Sequence, residues 1–330
     1  MKKLQFSGVG DPAQVVTLVE FDSLVPGNGQ VVVQVEAATI NASDFLYITG
    51  QYFVTPPSTS DAGAEGVGRV TAIGPGVDEA LLGARVVLLP TYRYGTWATH
   101  LLASVDDVVV APEGVDAVQL AMIGINPMTA LRLLRDYGDP SALQRWIGQT
   151  AGNSAVGEYL VKLAKHFGYR TLSIVRRAAG ADLVRSWGGD IALVDGEHLD
   201  AELTEALGDV NFDIAVDSIG GPPSTALAHH LRFGGTLVTY AYQSGQPPTV
   251  GLGDLLGNHA QLTGFWLMNW LRRAQPAEVQ AAYRELIDLV ADGTLSARVD
   301  RTLALDDFQK AFALARGGGL EGKILFTFPR

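Results

Sequence analysis

Apolar and polar residues are patterned in two different ways along this chain. In the N-terminal third, short β-branched runs stand between turn signals. Val31–Val35, Gly68–Ile73, Ala84–Leu89 and Asp107–Val110 fit strands, punctuated by Pro-Gly, Gly-Pro-Gly and Asp-Asp. From about Ile123 the pattern changes. Strand candidates at 145–149, 171–175, 191–194, 212–217, 235–240 and 261–266 alternate with helical stretches. Six strands joined by crossover helices predict a parallel, doubly wound α/β sheet. Beyond about Leu271 a helix-like run continues through Val290, a further helical stretch covers Phe308–Ala315, and Lys323–Phe328 reads as an apolar strand. This tail is expected to fold back onto the β-rich first part. The organisation expected is therefore a β-rich domain begun by residues 1–122, a doubly wound sheet inserted over 123–268, and a returning tail over 269–330.

The segment from Leu143 to Arg177 carries the most chemistry. It reads L-Q-R-W-I-G-Q-T-A-G-N-S-A-V-G and then shows one helix face at Val156, Leu160, Leu163, Ala164 and Phe167. Gly168 stands where a helix C-terminus favours positive φ, and Thr171–Val175 is the next strand. This is a βαβ unit with a tight turn at the helix N-terminus. Unpaired N–H groups and the helix dipole make such a turn an anion site. Gly152, Asn153, Ser154, Ala155, Val156 and Gly157 are its candidate phosphate-binding residues. A strict G-x-G-x-x-G is missing, so an ordinary strand–turn–helix with small packing residues stays open. A Walker A loop fails because Glu158 follows Gly157, and a nucleophile elbow fails because Val156 stands where it needs glycine.

Arg176 and Arg177, not an acid, follow the second strand. An acid there would grip the ribose hydroxyls of NAD, whereas arginine suits the 2′-phosphate of NADP; a solvated charged turn is the alternative. Tyr240 follows the fifth strand candidate and is expected to line the nicotinamide cleft, since ligands lie beyond the carboxyl ends of the strands.

Composition narrows the field. The chain has 330 residues, 47% hydrophobic and 18% charged, which is ample for two packed domains. A net charge of −11 argues against nucleic acid or an anionic membrane as partner. With no cysteine, disulfides, thiolate catalysis and cysteine-ligated metal sites are excluded. The six histidines are scattered, and His229-His230 reads as solvated. No apolar run is long enough to span a bilayer and the N-terminus lacks a signal-like apolar region, so a cytoplasmic location is expected.

Specific strings sharpen the picture. Asn41-Ala42-Ser43-Asp44, Gly50-Gln51-Tyr52, Gly63-Ala64-Glu65-Gly66-Val67, Gly95-Thr96-Trp97, Gly124-Ile125-Asn126-Pro127-Met128-Thr129-Ala130, Gln149-Thr150-Ala151-Gly152-Asn153-Ser154, Gly220-Gly221 and Gly264-Phe265-Trp266-Leu267 occur in this order. Together they resemble the zinc-free 2-enoyl thioester reductases, a branch of the medium-chain dehydrogenase/reductase superfamily. The resemblance implies a six-stranded Rossmann sheet inserted in a GroES-like catalytic domain. It departs from the family at Ala155, where glycine is usual and the added methyl narrows the turn. The cysteine, histidine and cysteine ligands of the zinc-dependent members fall on Asn41, Ala64 and Ile125, so no metal is expected.

The same resemblance implies NADPH as cofactor and reduction of an activated C=C bond, most of all in an enoyl-CoA or enoyl-ACP. Hydride would reach the β carbon and a proton the α carbon. Tyr52 and Asn41 become catalytic candidates, Phe265, Trp266 and Lys323 join the cofactor set, and Trp266 and Trp270 could wall an acyl pocket. Packing roles for Tyr52, Trp266 and Trp270, and a surface role for Lys323, remain open on the residues alone. An NADPH:quinone reductase and a non-catalytic NADPH-binding sensor are the alternative functions. A homodimer is expected, because the sixth strand is an apolar sheet edge that needs covering.

Overall fold

The structure is a computed structural model and describes residues 1–139, 141 and 145–329. Leu143 and Gln144, at the start of the βαβ segment, lie outside the described residues. The chain forms two compact units, Met1–Ile125 with Leu271–Arg330, and Asn126–Trp270.

In the second unit all six strand candidates form one parallel sheet. Its order is Ile191–Val194, Arg170–Val175, Trp146–Gln149, Phe212–Asp217, Leu231–Thr239, Gln261–Gly264. Numbered along the chain this is 3-2-1-4-5-6, the Rossmann order, which reverses direction beside the first strand. Central strands are buried on both faces, so Phe212–Asp217 is buried at every position. Leu172, Phe212, Ala215, Leu227 and Leu237 join one core cluster of this unit. At the edge the expected strand 261–266 is shorter: pairing stops at Gly264, and a helix starts at Leu267.

The first unit has a main sheet ordered Val299–Leu303, Lys323–Thr327, Gln30–Thr39, Gly66–Ile73, Arg85–Leu88, Val108–Val110, with His100–Ser104 also paired to Gln30–Thr39. A smaller sheet joins Val16–Glu20, Lys2–Ser7 and Thr59–Asp61. The tail strand pairs antiparallel with the first third of the chain, Leu325 opposite Thr39 and Thr327 opposite Ala37. The helix-like run from Leu271 to Val290 is two helices, Leu267–Arg273 and Pro276–Ala291. Pro276 has no N–H for a continuing ladder and a φ suited to a first turn, so it ends one helix and opens the next.

Aromatic rings lock the tail in place. Phe312, 1% exposed, packs edge-on to Phe45 at 5.4 Å and tilted against Trp97 at 5.2 Å. Trp97 in turn donates its indole N–H to Thr39 O at 3.0 Å. Large-to-small changes of buried aromatics cost about 3–5 kcal/mol. Phe312→Ala is therefore expected to lower the urea midpoint of the first unit by about that stability, and an unchanged midpoint would show that the tail helix is not anchored through this ring.

Candidate active site

The candidate nucleotide cradle lies in the second unit, where the first strand runs into helix Ala155–His166. The strand and turn are tied to their neighbours. Thr150 Oγ1 donates to Asp217 Oδ1 at 2.7 Å and accepts from Ser218 N at 2.9 Å. Gly152 N donates to Ile174 O at 2.9 Å. Ser154 caps the helix, its Oγ accepting from Gly157 N at 3.1 Å.

Both glycines are needed for lack of room. A Cβ on Gly152 would stand 2.5 Å from Ser173 Cβ, and one on Gly157 would stand 2.4 Å from Gly152 O. The left-handed residue of the turn is not a glycine: Ala151 holds φ at +47°, a conformation that costs an L-residue about 1–2 kcal/mol. Ala155 is the first residue of the helix, Val156 is half-buried, and Asn153 is exposed next to Gly180. The small residues bring backbone and helix N-terminus to an open surface, which fits a dinucleotide pyrophosphate.

Arg176 and Arg177 are exposed at the end of the second strand, and neither makes an ion pair among the described residues. Arg177 is the N-cap position of helix Ala178–Ser186 but offers no side-chain cap. The Tyr240 backbone N–H donates to Asp217 O at 2.9 Å. Its hydroxyl faces Ser218 and Ser154, and burial pushes the phenol above its ordinary range. The turn and Tyr240 thus meet through Ser154. Phe265 is buried where its N–H donates to Thr239 O at 2.8 Å. Trp266 is half-buried, and Trp270 lies under the Arg132 guanidinium at 4.7 Å.

The first unit holds a second polar centre. Asn41 is buried and opens helix Ala42–Ile48, its backbone N–H donating to Asp44 Oδ2 at 2.7 Å. Its side-chain amide donates to Glu65 Oε1 at 2.6 Å and accepts from the Lys323 ammonium. Glu65, 0% exposed, also accepts Ile125 N–H at 2.8 Å on Oε2. Lys323, grouped with the cofactor residues by resemblance, therefore sits with Asn41 and Glu65 in the first unit. Burial pushes the Glu65 carboxyl up and the Lys323 ammonium down, each opposed by the other's charge. Burial also pushes Asp44 up to about 7.

Tyr52 lies past the other end of the same helix, its N–H donating to Leu46 O at 3.1 Å. Its half-buried ring packs on Tyr92 with centroids 5.5 Å apart. Sequence reasoning missed Glu65 and Asp44 as site residues although both stand inside quoted strings. It missed Tyr92 altogether; the only signal was the aromatic density of Thr91-Tyr92-Arg93-Tyr94. Ala151 carried no signal, because positive φ is read from glycines.

Among the described residues no three His, Asp or Glu side chains converge as a metal site would require. At the three zinc-ligand positions, Asn41 spends its amide on Glu65 and Lys323, and Ala64 and Ile125 have no ligating side-chain atom.

Residues 27–113 match the alcohol dehydrogenase GroES-like domain and residues 188–325 the zinc-binding dehydrogenase domain. The mitochondrial enoyl-[acyl-carrier-protein] reductase of Rattus norvegicus is 31% identical over 316 residues, covering 94% of this chain and 84% of the relative. A Bacillus thuringiensis structure described as an NADPH:quinone reductase superposes with a TM-score of 0.89 at 28% identity, covering 99% of both chains. The enoyl thioester reductase Etr1p of Candida tropicalis, in complex with NADP and crotonyl-CoA, shares the fold with a TM-score of 0.87 at 22% identity over 99% of both chains. The Rossmann order, the glycine cradle and similarity along almost the whole chain agree: this protein belongs to the enoyl-[acyl-carrier-protein] reductase family of the medium-chain dehydrogenase/reductase superfamily.

Proposed function

We propose that this protein is an NADPH-dependent, zinc-independent reductase of activated C=C bonds, with 2-enoyl thioesters (enoyl-CoA or enoyl-ACP) as substrates. The observation that carries this reading is that Asn41, Ala64 and Ile125 stand at the positions of the zinc ligands, with the Asn41 amide engaged by Glu65 and Lys323. Alcohol activation by a zinc alkoxide needs three protein ligands and an open position, and these side chains supply neither. A conjugated C=C needs no metal, only a polarised carbonyl and a proton for the α carbon. Bound NADPH supplies hydride to the β carbon. The names of the relatives and the crotonyl-CoA complex of Etr1p support the substrate class.

In this reading residues 1–122 and 269–330 form the catalytic lobe and 123–268 the NADPH lobe. Gly152, Asn153, Ser154, Ala155, Val156 and Gly157 cradle the pyrophosphate, Arg176 and Arg177 meet the 2′-phosphate, and Tyr240, Phe265 and Trp266 line the cofactor cleft. Lys323 belongs to the cofactor-binding set, and Asn41 is a catalytic residue with Tyr52. Trp266 and Trp270 wall the acyl chain. Tyr52 donates the α proton. The exposed edge strand Gln261–Gly264, with Leu262 43% exposed, supports a homodimer joined through the two sheets. No helix among the described residues is long and apolar enough to cross a membrane; we take a cytoplasmic protein as the working case. NADPH:quinone reduction is the second reading, favoured by the Bacillus thuringiensis structure.

The deciding experiment compares NADPH oxidation with crotonyl-CoA, a longer enoyl-CoA and a small quinone. Enoyl-CoA turnover is expected, and Tyr52→Phe should lower its kcat by about 10²- to 10⁴-fold with NADPH affinity unchanged. Quinone turnover alone, or a parent rate in Tyr52→Phe, would move the second reading ahead. Arg176→Ala and Arg177→Ala test the cofactor assignment. Loss of one charge-assisted hydrogen bond should weaken NADPH roughly ten- to hundredfold and leave NADH nearly unchanged. Equal weakening of both cofactors would remove the 2′-phosphate role. For the homodimer, light scattering at micromolar concentration should read about twice the 35.0 kDa chain mass; a monomer mass would end that proposal.

A further inference from the structure

Tyr92 is the most unusual side chain near the proposed proton donor. Its φ is +57°, a left-handed conformation rarely adopted by a bulky residue. The loop around it is held on both sides. Thr91 N donates to Leu89 O at 2.8 Å, Tyr94 Oη donates to the same carbonyl at 2.6 Å, and the Arg93 guanidinium pairs with Asp107. Strained residues persist where their surroundings over-determine them, and they concentrate at functional sites.

The strain places the Tyr92 ring between two others, 5.5 Å from Tyr52 and 4.7 Å from Tyr47. Tyr47 is itself pinned through its hydroxyl, 3.1 Å from Ser60 Oγ. The Tyr92 hydroxyl is different: it is buried and has no hydrogen-bond partner. Its polar neighbours are Ser43 and Tyr52, with Asp44 beyond. Ser43 Oγ and Asp44 Oδ1 are buried without a partner as well. A buried polar group left unpaired costs about 1–3 kcal/mol, and here the Ser43 and Asp44 oxygens gather at the Tyr92 hydroxyl, whose ring packs on Tyr52. Packing alone would favour phenylalanine at this position.

We propose that Tyr92 is a positioning residue for Tyr52, holding its ring and, with Ser43, returning a proton to it after each turnover. This rests on the reading of Tyr52 as the α-proton donor. In the first step the Tyr52 O–H bond breaks, a C–H bond forms at the α carbon, and the enolate pair becomes that bond. The Tyr92 O–H then breaks as the Tyr52 O–H re-forms, Ser43 reprotonates Tyr92, and water supplies the proton to Ser43. The Tyr92, Ser43 and water transfers are concerted, so no alkoxide forms on Ser43; the negative charge ends on the hydroxide left by the water, and no oxidant or reductant beyond NADPH is involved.

The test is a double-mutant cycle of Tyr92→Phe and Tyr52→Phe, with crotonyl-CoA and NADPH. Tyr92→Phe keeps the ring and removes an unpartnered hydroxyl, so the melting temperature should hold or rise. In the parent, kcat should fall by about threefold to a hundredfold, NADPH affinity should stay, and the solvent deuterium isotope effect on kcat should grow. In the Tyr52→Phe background the same change should have no further effect. Ser43→Ala provides a second arm, with the same sign and the same loss of effect without the Tyr52 hydroxyl. A parent rate for Tyr92→Phe, equal losses in both backgrounds, or a fall in melting temperature with no isotope change would each overturn the proposal. If Tyr52→Phe itself turns over at the parent rate, the reading of Tyr52 fails first and this inference falls with it.

Discussion

An ammonium group withdrawn from water must find negative charge or give up its proton, and the first unit is organised around that constraint. Lys323 enters from the C-terminal tail, and its partners Asn41 and Glu65 come from the first third of the chain. Removing ions from water costs several kcal/mol each, and only good geometry with further hydrogen bonds repays it. Here the repayment is shared. Glu65 takes the Asn41 amide and the Ile125 N–H, and Asn41 takes the helix-capping contact with Asp44. The strand carrying Lys323 pairs with the strand that leads to Asn41, so backbone ladder and side-chain network enforce one register.

The second unit depends on a different constraint, the close approach of backbone to backbone. The turn after the first strand leaves no space at Gly152 or Gly157, and it pushes Ala151 into the left-handed region. Thr150 and Asp217 anchor it to the fourth strand, where the sheet order reverses. The strain at Ala151 is offset by these buried hydrogen bonds, and the helix N-terminus is left facing outward. The same anchoring brings Tyr240 against Ser154, so the turn and Tyr240 are set by one network.

Much of this was legible in the letters. The six parallel strands followed from alternation of strand and helix periods, because a strand buried on both faces must be apolar throughout and a crossover helix must show one apolar face. The returning tail followed from an apolar final strand with no partner nearby in sequence. The break at Pro276 was missed, because the helical period continues on either side of it. The family's strings pointed to Asn41, Tyr52 and the glycine turn as candidates, and the missing cysteines excluded cysteine-ligated metal sites.

Tertiary structure alone decided which polar groups face one another. Lys323 and Asn41 are separated by nearly the whole chain, and no local pattern states that an ammonium and an amide will share a site. Glu65 became the shared acceptor of Asn41 and Ile125 only because the fold buried it beside them. Tyr92 is invisible to periodicity, since its conformation is imposed by hydrogen bonds of its neighbours rather than by its own preference. Sequence determines propensity and period, which act over a few residues. Burial, strain and charge pairing act across space, and they exist only once distant segments have been packed together.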